Sequence, residues 1–274
     1  MRDETLPHGW GLAVIIEHGL ILLVLGLVAG GIGALAGIGG GIIITPILAI
    51  YFGIPMHQAI GVSLMAVIAT STATSSVYVE RGVSNIRLGM TLEIATTLGA
   101  AIAAIVAGYI SRQTLAVLFS LFLVYTASSM VKKAWSTRKQ ELEPEIAPYK
   151  IKRYPLGLGA SLLAGGFSGL LGIGGGPVKV PIMYLFMGVP LRVATATSNF
   201  MIGVTAATSA FIYYGRGDVH LHIAAPIVIG VFAGSMLGAR FAPKVKATYV
   251  LSLLVFVTAY LAVTMLWRVL TGRF

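Results

Sequence analysis

Cysteine is absent from the 274 residues, which excludes disulfides, thiolate metal sites and cysteine nucleophiles together. Charge is scarce as well: Asp, Glu, Lys and Arg make up 10% of the chain, with 9 acidic residues against 19 basic ones. No GxxxxGK(S/T) segment offers a P-loop for ATP, and paired carboxylates, HExxH and nucleophile motifs are missing, so the sequence reads as neither an ATPase nor an enzyme. The formal charge of +10 comes from Lys and Arg gathered between hydrophobic segments. No basic face interleaved with aromatics is present, which argues against nucleic acid and for orientation in a membrane with anionic lipid. No bound cofactor is called for.

What is present is apolar. Hydrophobic residues make up 57% of the chain, and the mean hydropathy is +0.92, more apolar surface than a water-soluble core uses. Uncharged or nearly uncharged runs at 19–52, 88–111, 113–131, 156–178 and 247–267 reach or approach the roughly 20 residues that cross about 30 Å of hydrocarbon as a helix. Backbone amides in lipid must be satisfied within their own segment, and the two-residue alternation of a membrane barrel is not seen, so all spans are predicted helical. The N-terminal segment 1–11 lacks a cleavage pattern and reads as retained.

The chain repeats itself. Gly37-Ile38-Gly39-Gly40-Gly41 recurs as Gly172-Ile173-Gly174-Gly175-Gly176, an offset of 172 − 37 = 135. The same offset pairs Gly30 with Gly165, Pro46 with Pro181, Pro55 with Pro190, Ser63 with Ser198, Tyr78 with Tyr213 and Arg81 with Arg216. Such a register defines two tandem halves, a first transmembrane repeat at 12–134 and a second at 155–274. The polar linker 135–154 between them holds the excess of Lys and Arg expected of a cytoplasmic segment, which makes a multi-pass protein of the cell (inner) membrane.

Each half is predicted to hold a long helix, the glycine cluster, a short apolar piece (42–52; 177–187) and three more helices (57–79, 87–110, 113–132; 190–214, 221–240, 247–269). The expected fold class is therefore an all-α polytopic membrane protein with about 8–10 transmembrane segments, including two short broken or re-entrant helices. Eleven residues at about 1.5 Å each cover about 16 Å, half a membrane. If the short piece counts as a crossing, each half has five and the halves are inverted about a pseudo-two-fold axis; if it is re-entrant, each has four and they are parallel. Arg240, Lys244 and Lys246 favour inversion, Arg216, Arg268 and Arg273 the parallel arrangement, and the inverted one is preferred.

The chemistry concentrates at the glycine clusters. Gly39, Gly40 and Gly41, and Gly174, Gly175 and Gly176, strip side chains from a turn and leave successive N–H groups free at a helix start, which is an anion cradle. Pro46 and Pro181 are expected in the first turns of the short helices. Packing is the competing reading for the upstream glycines. Lys179, whose repeat partner is Ile44, lies in an uncharged run and requires an anion, a carboxylate or a water-filled cavity, unless it snorkels to the interface. Arg192, aligned with His57, opens the next helix. After it Thr195-Ala196-Thr197-Ser198-Asn199 answers Ser63 and the hydroxyl run 70–76, and such donors replace an oxyanion's lost hydration. Glu17, His18 and Glu93 are candidate proton carriers, with Glu17 more at home at the interface. His220, His222 and Asp218 do not form a convincing metal site.

Gly37-Ile38-Gly39-Gly40-Gly41 with Pro46, and its second copy with Pro177-Val178-Lys179-Val180-Pro181, resemble the signature of the sulfite exporter TauE/SafE family of membrane permeases. The resemblance covers nearly the whole chain and implies transport of small, often sulfur-containing anions such as sulfite, sulfoacetate or related sulfonates; spacing alone implies only a small anion. Lys179, Arg192 and Asn199 face Ile44, His57 and Leu64 in the repeat register, so the site is expected to be asymmetric. The reading is a secondary transporter, an exporter by alternating access, with the bilayer and a small anion as partners and a proton or sodium as candidate coupling ion. A passive anion channel, a permease for a carboxylate-type anion, an intramembrane enzyme and a structural membrane protein are the alternatives.

Overall fold

The computed structural model describes residues 12–140, 149–242, 245 and 247–272. The N-terminal segment 1–11, the acidic part of the linker at 141–148, and Lys244, Lys246 and Arg273 lie outside the described residues, as do the side chains of Glu17 and His18. All regular structure among the described residues is helical. Ten helices follow in order: α1 (Leu12–Ala36), α2 (Gly41–Tyr51), α3 (Met56–Glu80), α4 (Ile86–Ala107), α5 (Arg112–Gln140), α6 (Tyr154–Leu171), α7 (Gly176–Pro181), α8 (Leu191–Gly215), α9 (Leu221–Phe241) and α10 (Ala247–Leu270). Seven of them contain stretches long and apolar enough to cross a membrane. α8 matches α3 at 25 residues, and each carries a polar run, Thr195–Asn199 in α8 and 70–76 in α3.

Helix bounds recur at the sequence offset. Adding 135 to Gly41, Met56, Glu80, Ile86 and Arg112 gives Gly176, Leu191, Gly215, Leu221 and Ala247, the bounds of the corresponding later helices. The punctuation recurs too. Pro55 and Pro190, with extended backbone, stand immediately before α3 and α8, where proline loses no intrahelical bond. Beyond those helices Gly82 (φ 64) and Gly217 (φ 79) take the left-handed conformation that ends a helix cheaply only at glycine.

Three boundaries differ from expectation. α5 runs on to Gln140, past the predicted stop at 132, because Lys, Arg, Ala and Gln remain good helix formers once the apolar run ends. Pro46 and Pro181 are not in the first turn; each is the sixth residue of its helix, where it removes an interior hydrogen bond. In the first copy the α-helix continues through Pro46, whereas in the second it gives way after Pro181 to a π-helical turn, Ile182–Phe186.

Glycines set the closest approaches. A Cβ at Gly26 or Gly30 of α1 would strike the carbonyls of Ile227 and Val231 of α9, and one at Gly238 the carbonyl of Gly31. The numbers rise together, so α1 and α9 run parallel. Likewise Gly165 and Gly169 of α6 lie against Thr96 and Ala100 of α4. α3 and α8 run in opposite directions: Gly61 abuts the Asp218 carbonyl just past the end of α8, while Ser71 Oγ donates to Asn199 O at 2.6 Å near its start.

Candidate functional site

The two glycine turns meet at the centre of the molecule. A Cβ at Gly41 would lie 2.7 Å from Gly172 O, and one at Gly176 would lie 2.8 Å from Ile38 Cα. Gly39 and Gly174 both face Val67 and Ile202, residues that are themselves 202 − 67 = 135 apart. Gly37 and Gly39 (φ 73 each) and Gly172, Gly174 and Gly175 (φ 69, 73 and 75) adopt backbone conformations that side-chain-bearing residues seldom take. The first hydrogen bonds of α2 run from Ile43 and Ile44 to Gly40 O, at 3.1 Å each. In α7 they run from Val178 and Lys179 to Gly175 O, at 3.1 and 2.9 Å. The amides of Gly39, Gly40 and Gly41 and of Gly174, Gly175 and Gly176 therefore precede the first intrahelical bond of their helices, and all six residues are buried.

Side chains from α3 and α8 close over these turns. Ser63 Oγ contacts both copies, with Gly172 O at 2.9 Å and Gly41 O at 3.2 Å. Its counterpart Ser198 lies on the α8 face that carries Thr195, against Gly37, and Ile202, against Gly39 and Gly174. The Ser198 hydroxyl and both amide atoms of Asn199 are buried with no hydrogen-bond partner, as is Thr45 Oγ1 of α2. A buried amide without partners carries a desolvation cost of about 1–3 kcal/mol, which makes Asn199 the costliest of these groups to leave unsatisfied.

Lys179 is 2% exposed and does not snorkel. Its Nζ lies 3.3 Å from Glu93 Oε2 of α4 and donates to Thr205 Oγ1 of α8 at 2.7 Å. Thr205 in turn donates to Glu93 Oε1 at 2.5 Å, and Thr97 to the same oxygen at 3.4 Å. The carboxylate that the isolated lysine demanded is thus Glu93, itself 7% exposed. Sequence reasoning singled out both residues without pairing them, since 86 positions separate them. Thr205 it missed, although Glu93 was the one acid in the 88–111 run able to answer the lysine.

Two candidates stand apart. Arg192 is exposed at the outer end of α8, and His57 Nε2 lies 3.0 Å from Ala107 O at the end of α4. Both are near helix ends rather than at the glycine turns. His220 and His222 stack with ring centroids 5.6 Å apart, and no cluster of three metal-ligating side chains occurs among the described residues.

Membrane-length helices around two glycine turns, which meet inside the bundle beside unsatisfied polar groups and a buried ion pair, define a polytopic membrane protein. Residues 22–265 match the sulfite exporter TauE/SafE family, and the chain belongs to that family of membrane transporters. It is 30% identical over 244 residues to a "Probable membrane transporter protein" of Bacillus subtilis, YunE, covering 83% of this chain and 89% of that one. It is 29% identical to a protein of the same description from Methanocaldococcus jannaschii, MJ0441, covering 82% and 87%. A segment of 89 residues, 32% of this chain, is 37% identical to "Sulfite exporter TauE/SafE family protein 1" of Arabidopsis thaliana, covering 20% of that protein. No solved structure matches the chain.

Proposed function

We propose that the chain is a secondary transporter that exports a small sulfur-containing anion, sulfite or an organosulfonate, by alternating access. The observation that carries this reading is the cluster of unpartnered polar atoms on Ser198 and Asn199 beside the glycine turns. An oxyanion held there would accept from the Asn199 Nδ2 N–H and the Ser198 hydroxyl and from the free amides of the α2 start, which together replace its hydration. Gly39, Gly40, Gly41, Gly174, Gly175 and Gly176 would line the cradle, Ser63 would fix its two turns, and Lys179 would supply the positive charge. Arg192 and His57, at the outer ends of α8 and α3 one helical turn before Thr195 and Ile60, which touch the glycine turns, fit entry and exit better than the site itself. The antiparallel course of α3 and α8, helices at the same place in each half, favours inverted halves, the arrangement in which a central site is reached from either face by rocking one half against the other.

The access route on one face is a cleft of about 340 Å³ lined by Gly82, Val83, Ser84, Asn85, Ile86, Tyr149 and Val193. Asn85, one of the lining residues, donates its backbone N–H to Thr197 Oγ1 and its Nδ2 N–H to Tyr149 OH, both at 2.9 Å. Thr197 is next to Ser198, so opening this pair of bonds would lead from the cleft towards the turns.

The test is counterflow in proteoliposomes, with thermal-shift assays against sulfite, sulfate, thiosulfate, sulfoacetate and carboxylate controls. Saturable counterflow of a sulfur oxyanion, abolished in Lys179→Ala while folded protein remains in the membrane, is the expected result. Single-channel currents would establish a passive pore instead, and stabilisation by carboxylates alone would move the substrate class.

A further inference from the structure

The halves present one helix junction twice, with different contents. In one copy α4, α7 and α8 bring together Glu93, Lys179 and Thr205. The positions 135 residues away are Val228, Ile44 and Thr70. Ile44 is fully buried there, Val228 packs against the core, and Thr70 Oγ1 turns back to Ala66 O at 3.1 Å. The fold thus closes this junction with aliphatic side chains in one half and with an ion pair in the other. A buried ion pair usually stabilises no better than apolar residues of similar volume. Holding the helices together therefore does not account for the pair, and the molecule itself supplies the apolar control.

Resting on the transport reading above, we propose that Glu93 and Lys179 couple one proton to each transported anion. In the empty carrier the Glu93 carboxylate neutralises the Lys179 ammonium. An arriving anion takes the carboxylate's place at Nζ while Glu93 accepts a proton from the same side of the membrane, leaving ammonium, anion and neutral carboxyl together. On the far side the anion departs, the Glu93 O–H bond breaks, its proton goes to water, and the carboxylate returns to Nζ. The cluster is net neutral at every stage, so no unpaired charge crosses the low-dielectric interior. Thr205 Oγ1 accepts from Nζ and donates to Glu93, and so keeps ammonium and carboxylate within one hydroxyl of each other while the anion moves between them. The lysine stem runs along the second glycine turn, since a Cβ at Gly175 would lie 3.4 Å from Lys179 Cε.

The surroundings add no competing charge. α6 has no ionisable side chain except Tyr154 at its outer end, α8 has no charged residue between Arg192 and Arg216, and its Tyr213 bonds Gly169 O instead. α4 adds only Arg87 at its exposed start, and Tyr184 follows α7 in the π-helical turn. The direction of flux is set by the combined proton and anion gradients, not by the pair.

The experiment uses the full chain in proteoliposomes loaded with a pH-reporting dye and offered methanesulfonate, a monoanion whose sulfonate carries no proton at neutral pH. The expected result is lumen acidification in step with anion entry, and anion accumulation driven by a pH gradient alone. Glu93→Gln mimics the protonated carboxyl, so anion-for-anion exchange survives in it. Net uptake falls roughly 100-fold or more, because the empty carrier would return with Lys179 unneutralised. This split between exchange and net flux is read on sulfite as well. The double substitution Glu93→Val with Lys179→Ile copies the other half and is expected to fold and to transport nothing. Anion flux without proton movement or undiminished net uptake by Glu93→Gln would overturn the coupling role alone, and transport by the double variant would overturn it together with the charge role given to Lys179 in the site. Absence of any anion flux in the wild type would overturn the transport reading beneath it.

Discussion

Asn199 carries a stability cost that the proposed anion would offset. Its backbone oxygen is used, accepting from Ser71 Oγ at 2.6 Å, while its side-chain amide has no partner and no solvent. The corresponding residue of the other half is Leu64, fully buried in a packed core. Asn199→Leu is therefore expected to raise thermal stability in detergent, by about 1–3 kcal/mol if the desolvation cost is recovered in full, and to abolish sulfur-anion flux. Unchanged flux in a stabilised Asn199→Leu variant would remove this amide from the site. Lys179→Met makes the opposite prediction. It strands the Glu93 carboxylate and should cost about 3–5 kcal/mol in thermal or denaturant unfolding, with Glu93→Gln in the same chain restoring most of the loss. At this scale the sequence announced the lysine, the asparagine and the glycines because each is anomalous where it stands. It did not announce their partners, since the Lys179–Glu93–Thr205 contact joins three helices whose adjacency is a property of the whole bundle. It did place Arg192 and His57 at helix starts, as found, and still counted them among the site residues, because register places a residue along a helix but not against its neighbours.

Helix packing here depends on contacts between backbones. Where a Cβ at Gly30 would lie 2.5 Å from Val231 O and one at Gly238 2.6 Å from Gly31 O, any side chain must push α1 and α9 apart. Membrane helices have little hydrophobic drive to associate, so small residues that admit close approach set which faces pair. Gly30→Val should lower stability by about 1–3 kcal/mol, the usual cost of overpacking, as read by thermal unfolding of purified protein. Gly166→Ala, with nothing within 4 Å of the added carbon, should leave the melting temperature unchanged or raise it. Equal losses in both variants would show that helix propensity, not close approach, governs these positions. Helix identity was legible in the apolar runs, and the offset of 135 carried the register from one half to the other. The ends were less legible. The π-helical turn after Pro181 is a case in point, because Pro46 occupies the same register position and the α-helix there continues through it.

For the molecule as a whole, the helix directions sort the loops onto two faces. Arg81 Nη1 donates to Ala239 O and its Nη2 to Arg240 O, and Lys152 N–H donates to Met187 O, which puts the ends of α3 and α9, the segment before α6 and the start of α8 on one side. That face holds Arg81, Arg87, Lys150, Lys152, Arg153, Arg192 and Arg240 among the described residues. The opposite face holds Arg112, Arg216 and Arg268, with Arg216 Nη1 donating to Ala104 O as the counterpart of Arg81 to Ala239. Loop charges read along the sequence favoured neither arrangement, because Arg216 and Arg268 count against inversion, and on the face opposite the linker they stand as a minority of the cations. An excess of Lys and Arg marks the cytoplasmic side, so the linker face should be cytoplasmic and the loop at Arg216 external. The absence of cysteine makes this directly measurable, since every introduced thiol is the only one in the chain. A membrane-impermeant maleimide applied to intact cells should label Gly217→Cys and spare Lys150→Cys, and permeabilised cells should label both. Labelling of Lys150→Cys from outside would reverse the orientation. Labelling of both from outside would place the two loops on one face and rule out the inverted arrangement that the proposed alternating access uses.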